Sequence, residues 1–287
     1  MSPRPPARAE GGSRRRAKHG GSSVTPRRAP AAATAWRWAA LGAVLGLLLT
    51  ITVAAPARWL AAAVAQASSG HLQLLEPTGR VWAGSARLAL AGGADSRDRA
   101  ALPGQLHWRL APTWSGAQAR LTLDCCTAPD GLLLRVSPRW GGVQLQVADG
   151  ASHWPAAVLA GLGTPFNTIA PEGELDLVTQ GLVARWLAGR LQLDGGATLT
   201  ARALSSRLST LRPMGSYQLV LRGGSDIGVN LSTLDGGLRL SGSGRWVGQR
   251  LSFQGEASAA PGLQGQLANL LNILGRREGD RAILSFS

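Results

Sequence analysis

From Trp38 to Ala57 the chain runs twenty residues without a charge, bounded by Arg37 and Arg58. As a helix this run spans about 30 Å, the thickness of a bilayer's hydrocarbon core. Trp36 and Trp38 stand at one end and Trp59 at the other, where indole rings prefer the membrane–water interface. The run is apolar on all sides, which argues against the core helix of a soluble protein. A cleaved signal peptide is the competing reading, because Ala63-Val64-Ala65 and Ala65-Gln66-Ala67 both fit a small-residue cleavage site. Against it, the run exceeds the usual ~7–15 apolar residues and a long basic stretch precedes it. A retained membrane anchor over residues 36–60 is the expectation.

Charge gives the anchor a direction. Residues 1–37 hold nine basic side chains and one acid, Glu10. That clustering accounts for most of the chain's net charge of +14. A basic chain invites a nucleic-acid reading. The hydrophobic segment separates the basic tail from the rest, so membrane topology explains the charge better, and no nucleic-acid partner is expected. The positive-inside rule keeps the tail in the cytoplasm and exports the residues beyond the anchor. Residues 1–35, rich in Arg, Pro, Gly and Ser, have no apolar periodicity and are expected to be disordered.

Beyond Ser68-Ser69-Gly70 the pattern changes to period two. Leu106, Trp108 and Leu110 alternate with His107 and Arg109, and Leu175 and Leu177 with Glu174, Asp176 and Val178. Similar runs cover 86–90, 119–123, 143–147, 190–194, 217–221, 237–241, 250–254 and 282–286. Alternation gives one apolar and one polar face, as in half-buried antiparallel strands. Gly-rich turns such as Asp194-Gly195-Gly196 separate them. The fold expected for residues 70–287 is mainly β: a curved antiparallel sheet, an incomplete barrel or a sandwich-like domain, with few short helices. Helices are expected over Trp154–Leu162 and Leu263–Arg276. In the latter, Leu263, Leu267, Leu270, Leu271 and Leu274 share a face and Gly275 suits a stop.

Nothing in the chain spells a catalytic or metal constellation. There is no P-loop, no H-E-x-x-H and no G-x-S-x-G. His19, His71, His107 and His153 are dispersed, and no cofactor or metal is expected. The two Cys, Cys125 and Cys126, are adjacent; unpaired thiols are preferred over a strained vicinal disulfide. Seven Trp lie beyond the anchor: Trp82, Trp108, Trp114, Trp140, Trp154, Trp186 and Trp246. Core packing is favoured over interface contact for them, since Trp82 and Trp108 share strands with Leu and Val.

Three phrases carry a resemblance. Pro77-Thr78-Gly79-Arg80-Val81-Trp82-Ala83-Gly84-Ser85-Ala86 contains a G-x-V-W-x-G-x-A block. Leu102-Pro103-Gly104-Gln105-Leu106-His107-Trp108-Arg109-Leu110 contains L-P-G-x-L-x-W-x-L. Leu274-Gly275-Arg276-Arg277-Glu278-Gly279-Asp280-Arg281 closes the chain with L-G-R-R-x-G-x-R. In this order, behind an N-terminal anchor, they resemble protein N of the bacterial type II secretion system over roughly residues 36–287. The Arg-rich tail and Cys125-Cys126 depart from that pattern. The resemblance implies a single-pass inner-membrane component with a periplasmic domain. Such a component helps folded proteins leave the periplasm and is not an enzyme. Its partners would be other type II secretion subunits in the inner membrane and periplasm. Trp82, Gly84, Pro103, Gly104, Trp108, Gly275, Arg276 and Arg277 would be its interaction or family-motif residues. The β-rich part is also similar, more distantly, to the groove domains of AsmA-type envelope proteins. That likeness implies a rival role in lipid binding or transfer.

Overall fold

Ala and Leu favour helix, and the computed structural model begins with α1 over Ala31–Ala54. It describes residues 31–93, 96, 99–247 and 250–286, so the basic tail up to residue 30 lies outside the described residues. Within α1, Trp36–Ala54 is long and apolar enough to cross a membrane, with mean hydropathy 1.8. The helix stops three residues earlier than the uncharged run. Pro56 ends it, because proline fixes its own φ, here −73°, and has no N–H for the helical ladder. A second helix, α2 (Ala57–Ala67), starts directly after it.

The chain forms two compact units, Met1–Leu49 and Thr50–Ser287. In the second unit the alternating segments become strands. They are β1 (Leu72–Gly79), β2 (Ala83–Ala91), β3 (Arg99–Ala101), β4 (Leu106–Thr113), β5 (Gly116–Leu123), β6 (Leu132–Arg139), β7 (Gly142–Val147) and β8 (Gly150–Pro155). The rest are β9 (Glu172–Leu187), β10 (Arg190–Ser205), β11 (Gly215–Arg222), β12 (Gly228–Gly236), β13 (Leu238–Val247), β14 (Arg250–Ala259), β15 (Arg276–Glu278) and β16 (Arg281–Phe286). All belong to one antiparallel sheet, in the order β1-β2-β4-β5-β6-β7-β9-β10-β11-β12-β13-β14-β16-β15. β3 pairs β2, and β8 pairs the part of β9 that β7 leaves free. The mainly β expectation holds. Of the three forms it left open, the chain adopts an open single sheet, because nearly every strand pairs with its sequence neighbour and no second layer of strands arises.

β9 and β10 are each sixteen residues long. Their pairing slips between Asp194 and Gly196. Gly181 (φ 57°) and Gly195 (φ 73°) face each other there in left-handed backbone. A Cβ on Gly195 would lie 2.1 Å from the Gly181 carbonyl oxygen. This paired bulge changes the parity of the apolar face, from Leu175 and Leu177 on one side of it to Ala184 and Trp186 on the other.

Two buried clusters lie on the apolar face. One joins Ala86, Leu106, Trp108 and Leu123 to Ala57 and Leu60 of α2. The other joins Leu175, Tyr217, Phe253 and Leu284 to Leu267, Leu270 and Leu271 of α4 (Gln264–Leu274). Trp154, at the end of β8, packs against both. The residues after it form a 3-10 helix over Ala156–Leu162, so the helix expected from Trp154 starts two residues later. A short α3 (Phe166–Ile169) comes next. Tyr217 donates its hydroxyl to the Leu238 carbonyl at 3.1 Å, and burial pushes its phenol well above the ordinary tyrosine range.

One expectation changes here. Cys125 and Cys126 are joined in a vicinal disulfide, not two free thiols. They occupy the turn after β5, where Cys126 is buried in the first cluster. Gly84 lies in β2, opposite Trp108.

Candidate functional site

The site grows out of Pro56. A helical carbonyl is normally filled by the N–H four residues on, and for Thr52 that residue is Pro56, which has none. The Trp82 indole N–H donates to the Thr52 carbonyl at 2.8 Å. Next to it, the Val81 N–H donates to the Ala55 carbonyl at 2.9 Å. Pro56 and Arg80 form an isolated antiparallel bridge. The β1–β2 turn thus clasps the chain where it leaves the apolar helix.

Trp108 braces the clasp from behind. Its indole N–H lies 3.0 Å from the Val81 carbonyl and 3.3 Å from that of Arg80. The Arg80 N–H donates to the Ala83 carbonyl at 2.8 Å, closing the turn. The ring of Trp108, only 2 % exposed, lies across Gly84. A Cβ on Gly84 would come within 2.5 Å of Trp108 Cζ2 and 2.4 Å of the Thr78 carbonyl oxygen. Only a residue without a side chain lets the indole reach the turn. The first two sequence blocks are therefore one structure: Trp82 holds the helix exit, Trp108 holds the turn that carries Trp82, and Gly84 makes room.

The other motif residues lie apart from it. Pro103 and Gly104 form the turn at the far end of β4. There Gly104 has φ 81°, and the Gln105 N–H donates to Asp124 Oδ2 at 3.1 Å. Gly275, Arg276 and Arg277 lie at the other extreme of the strand order. Gly275 stops α4 without left-handed backbone. It is extended, and a Cβ there would sit 2.2 Å from the Ile283 carbonyl oxygen. Arg276 and Arg277 are exposed on β15, and Arg276 contacts Glu278 at 2.5 Å.

The polar face carries a charged group that the sequence did not bring together. Asp176 on β9 is buried. It pairs with His153 on β8, and Arg202 Nε on β10 stands 2.5 Å from its Oδ2 without an aligned hydrogen bond. His153 is thus not isolated. A buried acid requires polar partners, and the group ties three strands together. Among the described residues no cluster of His, Cys, Asp or Glu is placed to hold a metal.

A family model described as type II secretion system (T2SS), protein N, matches residues 70–284. The chain belongs to the type II secretion system protein N family. The match contains all three blocks and begins where the sheet begins. No curated protein and no solved structure shows a significant match to the chain. Family membership and the apolar helix make it a single-pass inner-membrane component of the type II secretion machinery, in an accessory role. The clasp explains two protein N blocks physically: they join the sheet to the end of the membrane-spanning helix.

Proposed function

We propose that the chain is a non-catalytic inner-membrane subunit that helps folded periplasmic proteins leave through the outer membrane. Residues 1–35 lie in the cytoplasm, residues 36–60 carry the span and its exit, and the sheet of residues 70–287 lies in the periplasm and binds other secretion subunits. The observation that carries this reading is the family match over residues 70–284, which contains the sheet side of the clasp, Arg80 to Trp108. Deleting the gene should trap secretion substrates in the periplasm, and normal secretion would refute the role. Alkaline phosphatase fused after residue 287 should be active if the sheet is exported. Trp82 is proposed as the positioning residue of the clasp. Trp82→Ala should leave the protein in the membrane yet lower secretion.

A second reading has its own observation. Leu132, Leu134, Val147, Trp154, Leu177 and Leu182 line a mostly apolar cleft of about 420 Å³ in the middle of the sheet. A cleft of that kind suits an acyl chain, as expected of a lipid-binding or lipid-transfer envelope protein. Native mass spectrometry of the full chain should find bound lipid if this reading is right, and lipid-free protein removes it.

A further inference from the structure

Three hairpin tips lie side by side at one end of the strands: Trp114-Ser115, Trp140-Gly141 and Ala188-Gly189. Their levels match. Ala117 is opposite Val136, Gly142 is opposite Leu187, and the Ala188 N–H donates to the Gly141 carbonyl at 3.1 Å. Neighbouring tips are two strand spacings apart, about 10 Å. Trp114 and Trp140 are 109 % and 102 % exposed. Trp186, also exposed, stands opposite the exposed Val143 just behind the tips. Whole indoles held in water on adjacent tips bury no core and stabilise no strand. Such an exposed apolar rim marks an interaction surface.

Two observations say which surface. The first is charge. Arg139 and Arg190 flank the tips and are exposed, while Arg185 behind them is paired with Asp194. The second is continuity with the helix exit. Ala83 pairs with Arg109, and the Leu110 N–H donates to the Trp82 carbonyl at 2.7 Å. Trp82 therefore lies at this same end of the strands, and Trp114 projects four residues, roughly 13 Å, beyond its level. Trp82 is in turn bonded to Thr52, in the last turn of the apolar helix. The tryptophan rim is thus at the end of the sheet from which the chain enters the span.

We infer that this rim docks on the anionic phospholipid surface of the bilayer that the apolar helix enters. The indoles of Trp114 and Trp140 lie at headgroup depth, and the guanidinium groups of Arg139 and Arg190 meet lipid phosphates. The inference rests on reading Trp36–Ala54 as a membrane span.

The test uses the full chain in vesicles of phosphatidylethanolamine and phosphatidylglycerol, with or without brominated acyl chains. A fluorescent label is placed at Ser115→Cys or, as a control at the opposite strand end, at Asp235→Cys. Cys125 and Cys126, bonded to each other, take no label. The expected result is bromolipid quenching at residue 115 and not at 235, with iodide in the water quenching only 235. Trp114→Ser with Trp140→Ser should abolish bromolipid quenching at 115 while the far-ultraviolet circular dichroism is unchanged. Iodide quenching at 115 equal to that at 235 overturns the inference. So does a residue 115 shielded from iodide and bromolipid alike, which means a second copy covers the rim. Quenching that survives the double substitution also overturns it. Alkaline extraction separates the failures. A chain that leaves the vesicles loses the span and the rim together, whereas a chain that stays while residue 115 faces water loses the rim alone.

Discussion

At one end of the strand order α2 lies over β1; at the other, α4 lies over β14 and β16. Both helices cover the apolar face, but different forces hold them. Leu267, Leu270 and Leu271 of α4 are almost fully buried against Tyr217, Phe253 and Leu284. That helix is held mainly by removal of apolar area from water. On α2, Ala57 is buried but Leu60 only partly so, and Ala57 has little area to bury. The start of α2 is fixed instead by Trp82 and Val81, which satisfy the carbonyls of Thr52 and Ala55. Burial does most of the holding for α4, helped by the Ser209 hydroxyl, which donates to the Gln266 carbonyl at 3.1 Å. A helix that comes after a membrane span also has its entry bonded in place.

Substitutions can break or sharpen this contrast, with thermal unfolding of the full chain in detergent as the measurement. Trp108→Ala should be the most damaging, at about 3–5 kcal/mol, because it removes a core ring and the brace on Val81 together. Leu270→Ala should cost about 2–5 kcal/mol through the cavity left under α4. If Leu270→Ala were neutral, the burial account of α4 would fail. Gly84→Val should cost about 1–3 kcal/mol by pushing the Trp108 ring off the strand. Trp82→Phe keeps an aromatic ring and loses the bond to Thr52, so it should cost only about 0.5–1.5 kcal/mol. Its effect on protease sensitivity should concentrate around residues 52–57. A uniform effect would show that the clasp is ordinary packing.

Strand alternation and the leucine stripe of α4 were legible because each is a local pattern. What escaped was non-local or phase-shifted. β9 read as one short strand, since the bulge at Gly181 switches its apolar parity midway, whereas β10 keeps its parity from Leu191 to Ala201 and is interrupted only by Gly195 and Gly196. β8, Gly-Ala-Ser-His-Trp-Pro, has too few apolar residues to show alternation, and it exists only because β9 outruns β7. β1 carries Glu76 at φ 52° and slips register between Leu75 and Thr78, which hides its period. The site was half legible. Trp82, Gly84 and Trp108 stand in recognisable blocks, yet their joint purpose depends on a carbonyl thirty residues upstream of Trp82. The pairing of His153 with Asp176 had no signal, since the residues are 23 positions apart and meet only across β8 and β9. Core packing was the right expectation for Trp108 and Trp154; Trp114 and Trp140 turned out to be surface.

The fit of the Trp108 ring over Gly84 makes the two positions one heritable unit. Neither can change freely alone: a side chain at 84 meets the ring of Trp108 as well as the Thr78 carbonyl oxygen, and a smaller residue at 108 leaves a hollow beside the strand. Gly84→Val should therefore be partly rescued by Trp108→Leu, and across related chains the two sites should drift together.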